Sequence, residues 1–246
     1  MKTRGNVVLI TGGSSGIGLS LAESFVKSGN EVIICGRSTE RLEGARAKLP
    51  SIHTRKCDVS KEDECRALYD WASSNFKVNV LVNNAGIQRR IDLKKGLEDL
   101  ENSEDEITIN LKSQIYMSAL FIPLLSKREE SAIINISSGL GFVPLAIFPV
   151  YSATKAAIHS FSMSLRHQLR DTTIKVFEVI PPTTDTNLKG ARKNDYPDKG
   201  IPPSEVAEAA MKGIESDQYE IAVGRAQGLS QGSREEKDQM FKNMNH

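Results

Sequence analysis

What this chain has little of narrows it first. Only three of its 246 residues are cysteine. Cys35, Cys57 and Cys65 form no CxxC pair and lack metal-ligand spacing, so no metal site and no disulfide framework is expected. Cys35 and Cys57 lie in apolar, strand-like runs, where a thiol acts as a small buried hydrophobe. The odd count, without a secretory pattern, points to a reducing compartment. Lys2 and Arg4 lead straight into Val7-Val8-Leu9-Ile10, too short for the apolar region of a signal peptide. Uninterrupted apolar runs of membrane-spanning length are missing, and so is an excess of one charge, with 32 Lys+Arg against 31 Asp+Glu. Nucleic acid and anionic membrane, which call for such an excess, are therefore not expected partners. A soluble cytoplasmic location is the expectation.

What is present is alternation. Short runs rich in Val, Ile and Leu predict strands over 6–11, 31–35, 52–57, 78–82, 132–137, 174–180 and 219–223. Amphipathic patterns predict helices over 16–28, 38–48, 60–75, 103–127, 151–170 and 203–215. Ser103-x-x-Glu106 reads as a capping box for the fourth helix, and Pro123 as its kink or early end. Strand–helix alternation of this kind predicts an α/β fold, a doubly wound parallel sheet of about seven strands flanked by helices on both faces. A single domain over 1–246 accounts for the length. Two stretches depart from the pattern. Proline-rich residues 183–203 are expected to form a lid. The polar tail 225–246, carrying Met240, Phe241 and Met244, is expected to be a docked helix, a frayed end or an arm reaching another subunit.

The first strand runs directly into Thr11-Gly12-Gly13-Ser14-Ser15-Gly16-Ile17-Gly18 and then into a helical pattern. Glycines allow a tight turn close to a pyrophosphate, and the helix N-terminus offers free N–H groups and partial positive charge. Strand, glycine loop and helix at the start of an alternating chain are the context of a Rossmann-type dinucleotide site. After the second strand stands Cys35-Gly36-Arg37-Ser38, where an NAD(H) site would carry an acidic residue. Without that carboxylate a 2′-phosphate is not repelled, and the Arg37 guanidinium would bind it, with Ser14 and Ser38 as hydroxyl donors. NADP(H) is the expected cofactor, the alternative being that Arg37 is a solvated residue at a helix start. Asp58 is placed either to bond the adenine amino group or to cap the next helix.

Tyr151 and Lys155 fall on one face of a predicted helix. A nearby ammonium favours the phenolate and is expected to lower the tyrosine pKa. Ser137-Ser138 ends an apolar strand at the sheet's carboxyl edge, where open α/β sheets bind ligands. A Gly/Pro-bearing loop can bring Ser138 back beside that helix.

Together, Thr11-xxx-Gly-x-Gly, Asn83-Asn84-Ala85-Gly86, Asn110, Ser138, Tyr151 and Lys155 resemble the short-chain dehydrogenase/reductase family in its compact single-domain branch, over roughly residues 5–225. The resemblance implies a carbonyl or alcohol as small-molecule substrate and a catalytic set of Asn110, Ser138, Tyr151 and Lys155. Tyr151 would move the proton of the reacting oxygen and Ser138 would stabilise its charge. Lys155 would hold the nicotinamide ribose, and Asn110 would hold a water linking Lys155 to solvent or cap a local helix break. It also implies cofactor contacts from Gly12, Ser15, Gly16, Ile17, Gly18, Val59, Asn84, Ala85, Gly86, Pro181, Thr183 and Thr186. The Asn side chains of 83 and 84 mainly brace the sheet. Pro182 replaces the family's usual glycine. The Pro181-Pro182-Thr183-Thr184-Asp185-Thr186 run resembles a subgroup named for a D-alanyl-teichoic-acid operon, a name that reports gene neighbourhood and fixes no substrate.

Leu140, Phe142, Val143, Ile147, Phe148 and Gln88 are the substrate-facing candidates, with core packing an equal account of them. Arg89-Arg90 reads as an exposed basic pair or as an attractor of anionic substrate. Ala153, Ala156, Ala157, Ser160 and Ser164 make one side of the Tyr151 helix small, for close approach to the sheet or to a partner subunit. The resemblance implies a homodimer or homotetramer. A redox sensor or scaffold binding NADP(H) without turnover is the alternative function, disfavoured because all four reacting-centre residues are present. A sugar-nucleotide epimerase would need a larger C-terminal domain.

Overall fold

Successive residues of strand β1 (Val7–Thr11) enter two different cores: Val8 and Ile10 join one, Leu9 the other. Strands β2 (Glu31–Gly36), β4 (Val80–Asn83) and β5 (Ser131–Ile136) split in the same way, because side chains alternate across a pleat. With both faces covered, both sets must be apolar, which is why these strands read as continuous Val/Ile/Leu runs. These relations come from a computed structural model that describes residues 1–101, 105–186, 188 and 200–245.

The sheet has the order β3 (His53–Lys56), β2, β1, β4, β5, β6 (Ile174–Ile180), β7 (Glu220–Ala222), and every pairing is parallel. Helices α1 (Gly16–Lys27) and α2 (Thr39–Lys48) cover one face with Leu21, Phe25 and Leu42. Helix α3 (Glu62–Asn75) packs Leu68 on the other. Beyond the short α4 (Glu98–Glu101), α5 (Ser113–Leu125) and α6 (Pro149–Gln168) add Phe121 and Leu165 to that second face. Helix α7 (Pro203–Glu215) returns to the first with Val206 and Ile214. Each large apolar side chain buried this way contributes about 1.5–3 kcal/mol. The order reverses between β1 and β4, and the crevice outside their carboxyl ends is where such sheets take ligands.

The start of the fourth expected helix departs from the sequence reading for physical reasons. The helix expected over 103–127 begins at Glu106, and Thr108–Lys112 makes a π-helical turn before α5. Ser103 of the expected capping box lies outside the described residues. Asp105 caps instead, its carboxylate accepting the N–H groups of Ile107 (2.8 Å) and Thr108 (3.1 Å). Glu106 turns inward and accepts the Arg89 N–H at 3.1 Å. Pro123 lies in the last turn and α5 stops at Leu125, the early end expected of it.

Most of the expected lid, residues 187 and 189–199, also lies outside the described residues. Its ends are joined: Asp185 N–H donates to Ile201 O (2.8 Å) and Ile201 N–H to Thr183 O (3.0 Å). The tail forms α8 (Ala226–Gln231) and α9 (Arg234–Met244), the latter opened by a reciprocal Ser233–Glu236 capping box. It folds back on its own chain, where the Asn245 side chain bonds Pro144 O (3.1 Å) and the Ala146 N–H.

Candidate active site

A cleft of about 820 Å³ follows the carboxyl edge of the sheet from the loop before α1 to the start of α6. At its near end Thr11 Oγ accepts the N–H groups of Asn84 (3.0 Å) and Ala85 (3.1 Å), while Asn84 Nδ2 donates to Thr11 O (2.9 Å) and Gly12 O (3.1 Å). The glycine loop is thereby fastened to the end of β4. Gly12 has φ +65°, and a Cβ there would come within 2.9 Å of Ala85 Cα, so no larger residue fits. Ser15 precedes α1 without capping it through its side chain, and the first turn holds no acidic group. The leading N–H groups of Gly16 and Ile17, with Ser14 and Ser15, are thus available to an anion in the cleft. Gly18 lies behind the loop against Gly12 O and the Asn84 side chain, and does not line the cleft.

Arg37, Ser38, Asp58 and Val59 line the far end, joined by Arg41 and Glu40, which the sequence reading missed. Arg41 stands one helical turn after Arg37, a spacing that could have signalled it. Ser38 Oγ accepts the Arg41 N–H (3.2 Å) and so caps α2. Asp58 does not cap α3. Its Oδ1 holds the Ser60 N–H (3.0 Å) and hydroxyl (2.7 Å) in the turn before the helix. The Asp58 N–H, bonded to Glu64, holds that carboxyl below its usual range, with Lys61 assisting.

At the other end Ser138 leads from β5 into a tight turn, Gly139–Gly141, lying on α6. A Cβ at Gly141 would come within 2.8 Å of the Lys155 backbone carbon, and this close approach returns Ser138 to the side of Tyr151. Lys155 is buried, its Nζ donating to Ile136 O (2.8 Å) and lying 5.6 Å from the Tyr151 ring centroid. Burial pushes Tyr151 up to about 12, against the pull of a hydrogen bond with Ser138, and the Glu106 charge adds to the rise. Burial also pushes Lys155 down to about 8, opposed by the Glu178 charge. The expected lowering of Tyr151 by Lys155 is corrected here: burial raises the phenol, the opposing pull comes from Ser138, and the tyrosine keeps its proton at neutral pH.

Asn110 stands in the π-turn, fully buried and off the cleft wall. Its Nδ2 donates to Ile87 O (2.8 Å) and Thr154 Oγ (3.3 Å), and its Oδ1 accepts the Ile87 N–H (2.8 Å). It ties β4's exit to α6 one residue before Lys155. Asn83 braces the sheet by donating to Ser118 Oγ and Asn135 Oδ1, both at 2.9 Å. Glu178 escaped the sequence reading, although a carboxylate inside the apolar run of β6 was its signal. It is fully buried between Ser137 and His159.

Leu140 and Gln88 line the cleft, as do Gly86, Pro181, Thr183 and Thr186. Two expected substrate contacts are corrected: Phe148 is fully buried in the core, and Phe142 packs on the His159 ring, centroids 4.5 Å apart, so neither reaches the cleft. Val143 is likewise buried. Arg89 is drawn toward buried Glu106 (3.9 Å) and off the cleft, which removes the reading of an exposed basic pair.

A short chain dehydrogenase family model matches residues 6–197. The chain belongs to this family. The dehydrogenase is 50% identical to DltE of Bacillus subtilis (strain 168), an uncharacterized oxidoreductase, over 100% of this chain and 98% of the relative. A short-chain dehydrogenase of Burkholderia cenocepacia J2315, solved in complex with NADP, superposes with a TM-score of 0.84 at 25% identity, covering 99% of this chain and 98% of the other. One from Burkholderia phymatum in complex with NAD shares the fold, with a TM-score of 0.84 at 21% identity over 98% and 96% of the two chains. Seven parallel strands with helices on both faces are the architecture of this oxidoreductase family.

Proposed function

We propose that this dehydrogenase interconverts a carbonyl and an alcohol with NADP(H), using Tyr151 as acid/base. The observation that carries the reading is the convergence of Ser138, Tyr151 and Lys155 on one wall of a cleft whose opposite end is the Gly12–Gly18 loop and the α1 N-terminus. That loop fits a pyrophosphate: at Gly12 the backbone is bare, and uncapped N–H groups follow it. Relatives of this fold bind either NAD or NADP. Preference for NADP(H) rests on Arg37, just after β2 where an NAD(H) site would present a carboxylate to the ribose, and on Arg41 in the first turn of α2.

When bound, the cofactor supplies or takes up the hydride. The chain's own residues handle the proton and the charge. Tyr151, protonated at neutral pH, donates its proton to the carbonyl oxygen during reduction and accepts it back during oxidation. The Ser138 hydroxyl bonds the same oxygen and steadies its developing charge. Lys155 places a cation behind the phenol and holds the ribose, while Asn110 fixes the helix that carries both. Small exposed residues on α6 (Ala153, Ala156, Ser160 and Ser164) turn away from the sheet, which supports their use in a homo-oligomer contact.

The test is NADPH consumption over a broad carbonyl panel, run beside NADH and beside Tyr151→Phe. Turnover with NADPH, weaker use of NADH, and a loss of about 10²–10⁴-fold in the variant are expected. Equal use of NADH would remove the role given to Arg37, and undiminished turnover by Tyr151→Phe would remove the mechanism.

A further inference from the structure

Behind Ser138 lies a second cavity of about 410 Å³, in the size range of small-molecule pockets. It shares Ser138, Leu140, Pro182 and Thr183 with the cofactor cleft, so the two spaces meet at the proposed reacting oxygen. Its remaining walls come largely from the tail. Leu229 of α8 and Met240 and Met244 of α9 face Leu140, Leu145 and Ile201. Among the described residues no aspartate or glutamate lines it, and Arg225 is the one charged residue that does.

The cavity is built rather than incidental. Helix α8 seats on the turn after Ser138: a Cβ at Gly139 would come within 2.8 Å of Leu229 Cδ1 and 3.3 Å of Ala226 Cβ. Helix α9 is fixed at its start by the Ser233–Glu236 box and at its end by Asn245 on Pro144 and Ala146. Lys237 adds its ammonium over the Phe142 ring, 5.6 Å from the centroid. Between these anchors the chain presents Leu229 together with Met240 and Met244, and the unbranched methionine thioethers adapt to flexible apolar ligands.

We infer that the α8–α9 tail forms the specificity pocket of this enzyme, and that it takes an aliphatic arm attached directly to the reacting carbonyl or carbinol carbon. The assignment rests on the reading of Ser138 and Tyr151 as the reacting centre. The preferred substrates are then uncharged aliphatic ketones, aldehydes or secondary alcohols, with the arm pointing away from the nicotinamide end and under the tail.

The full-length protein with NADPH is assayed against 2-alkanones from butanone to nonan-2-one, and its melting temperature is followed with the same ketones and NADP⁺. In the intact enzyme kcat/KM rises with chain length, on the order of threefold per methylene until the cavity is full. Leu229→Trp and Met244→Trp fill the space and flatten that rise. Met244→Trp guards against a misfolded Leu229 variant, because it lies at the end of α9. Lys242→Ala, exposed on the same helix and absent from the lining, keeps the rise. Reduction that is indifferent to chain length, or a rise that survives both tryptophans, overturns the pocket while leaving the carbonyl reductase reading intact. Thermal stabilisation that grows with chain length and is lost in the tryptophan variants, without any turnover, upholds the pocket and overturns the reaction. Stabilisation by the matching ω-carboxylated ketones in place of the alkanones overturns the apolar assignment and makes Arg225 the determinant.

Discussion

His159 Nδ1 lies 2.8 Å from Glu178 Oε2, and the other oxygen of that buried carboxylate accepts the hydroxyl of Ser137. The pair bolts α6 to β6 and to the last residue before Ser138, so the two elements bearing the proposed reacting groups share one anchor. A buried carboxylate retained inside an apolar strand must be satisfied on both oxygens, and here it is.

Replacing Glu178 by alanine takes the carboxylate from the His159 ring and leaves the Ser137 hydroxyl with only its long bond to Val179 O (3.4 Å). A loss of about 2–4 kcal/mol in unfolding free energy is expected by urea titration. Because the Glu178 charge also supports the Lys155 ammonium, Glu178→Gln should move the alkaline limb of the pH–rate profile to lower pH. A profile unmoved in Glu178→Gln would separate the carboxylate from the reacting centre.

Lys155 is lowered from its ordinary 10.5 to about 8. Between those values the unfolded chain binds a proton that the folded chain does not, so this residue's contribution to stability rises with pH across that window. Below about pH 8 the buried ammonium is a full cost. Lys155→Met is therefore expected to raise the melting temperature at pH 7 while abolishing turnover, with the gain shrinking above pH 8. Calorimetry at pH 7 and pH 9.5 checks both signs.

Glu106 is raised from 4.5 to about 7 by burial, with the Arg89 backbone bond and charge pulling the other way. The folded chain holds the extra proton between those values, so this group's contribution to stability falls as pH rises from about 4.5 to 7. Glu106→Gln keeps an acceptor for the Arg89 N–H and removes the charge. It should narrow the stability difference between pH 5 and pH 8 relative to the parent protein, measured by guanidinium unfolding.

The exposed small-residue side of α6 predicts an assembly defect. Ala156→Arg adds bulk and charge where Ala153 and Ser160 leave room for a second helix. Light scattering should show the parent as an oligomer and the variant as a smaller species, with an unchanged far-ultraviolet dichroism spectrum. An unaltered mass would place the oligomer contact elsewhere.

Much of this protein was determined by the sequence alone. Period-2 burial on both faces and strand–helix alternation dictate a covered parallel sheet, and β6 and α7 fall at the residues that patterning assigns. The glycine loop was equally legible, since positive φ and close backbone approach leave glycine as the residue that fits. What the sequence could not supply was the balance of opposed long-range terms. Tyr151 four residues from Lys155 promises a lowered phenol, and only the packed structure shows burial raising it against the Ser138 hydrogen bond. Glu178 is 19 residues from His159 and 41 from Ser137 in the chain, so their contact exists only once β5, β6 and α6 are packed together. Phe142 and Phe148 carry the right chemistry for a substrate wall, yet their facing was set by the turn after Ser138 and by the core. The tail that walls the second cavity reads as polar and indefinite, because α8 and α9 are too short to be stable until α8 seats on the turn that begins at Gly139 and Asn245 ties α9 to Pro144 and Ala146.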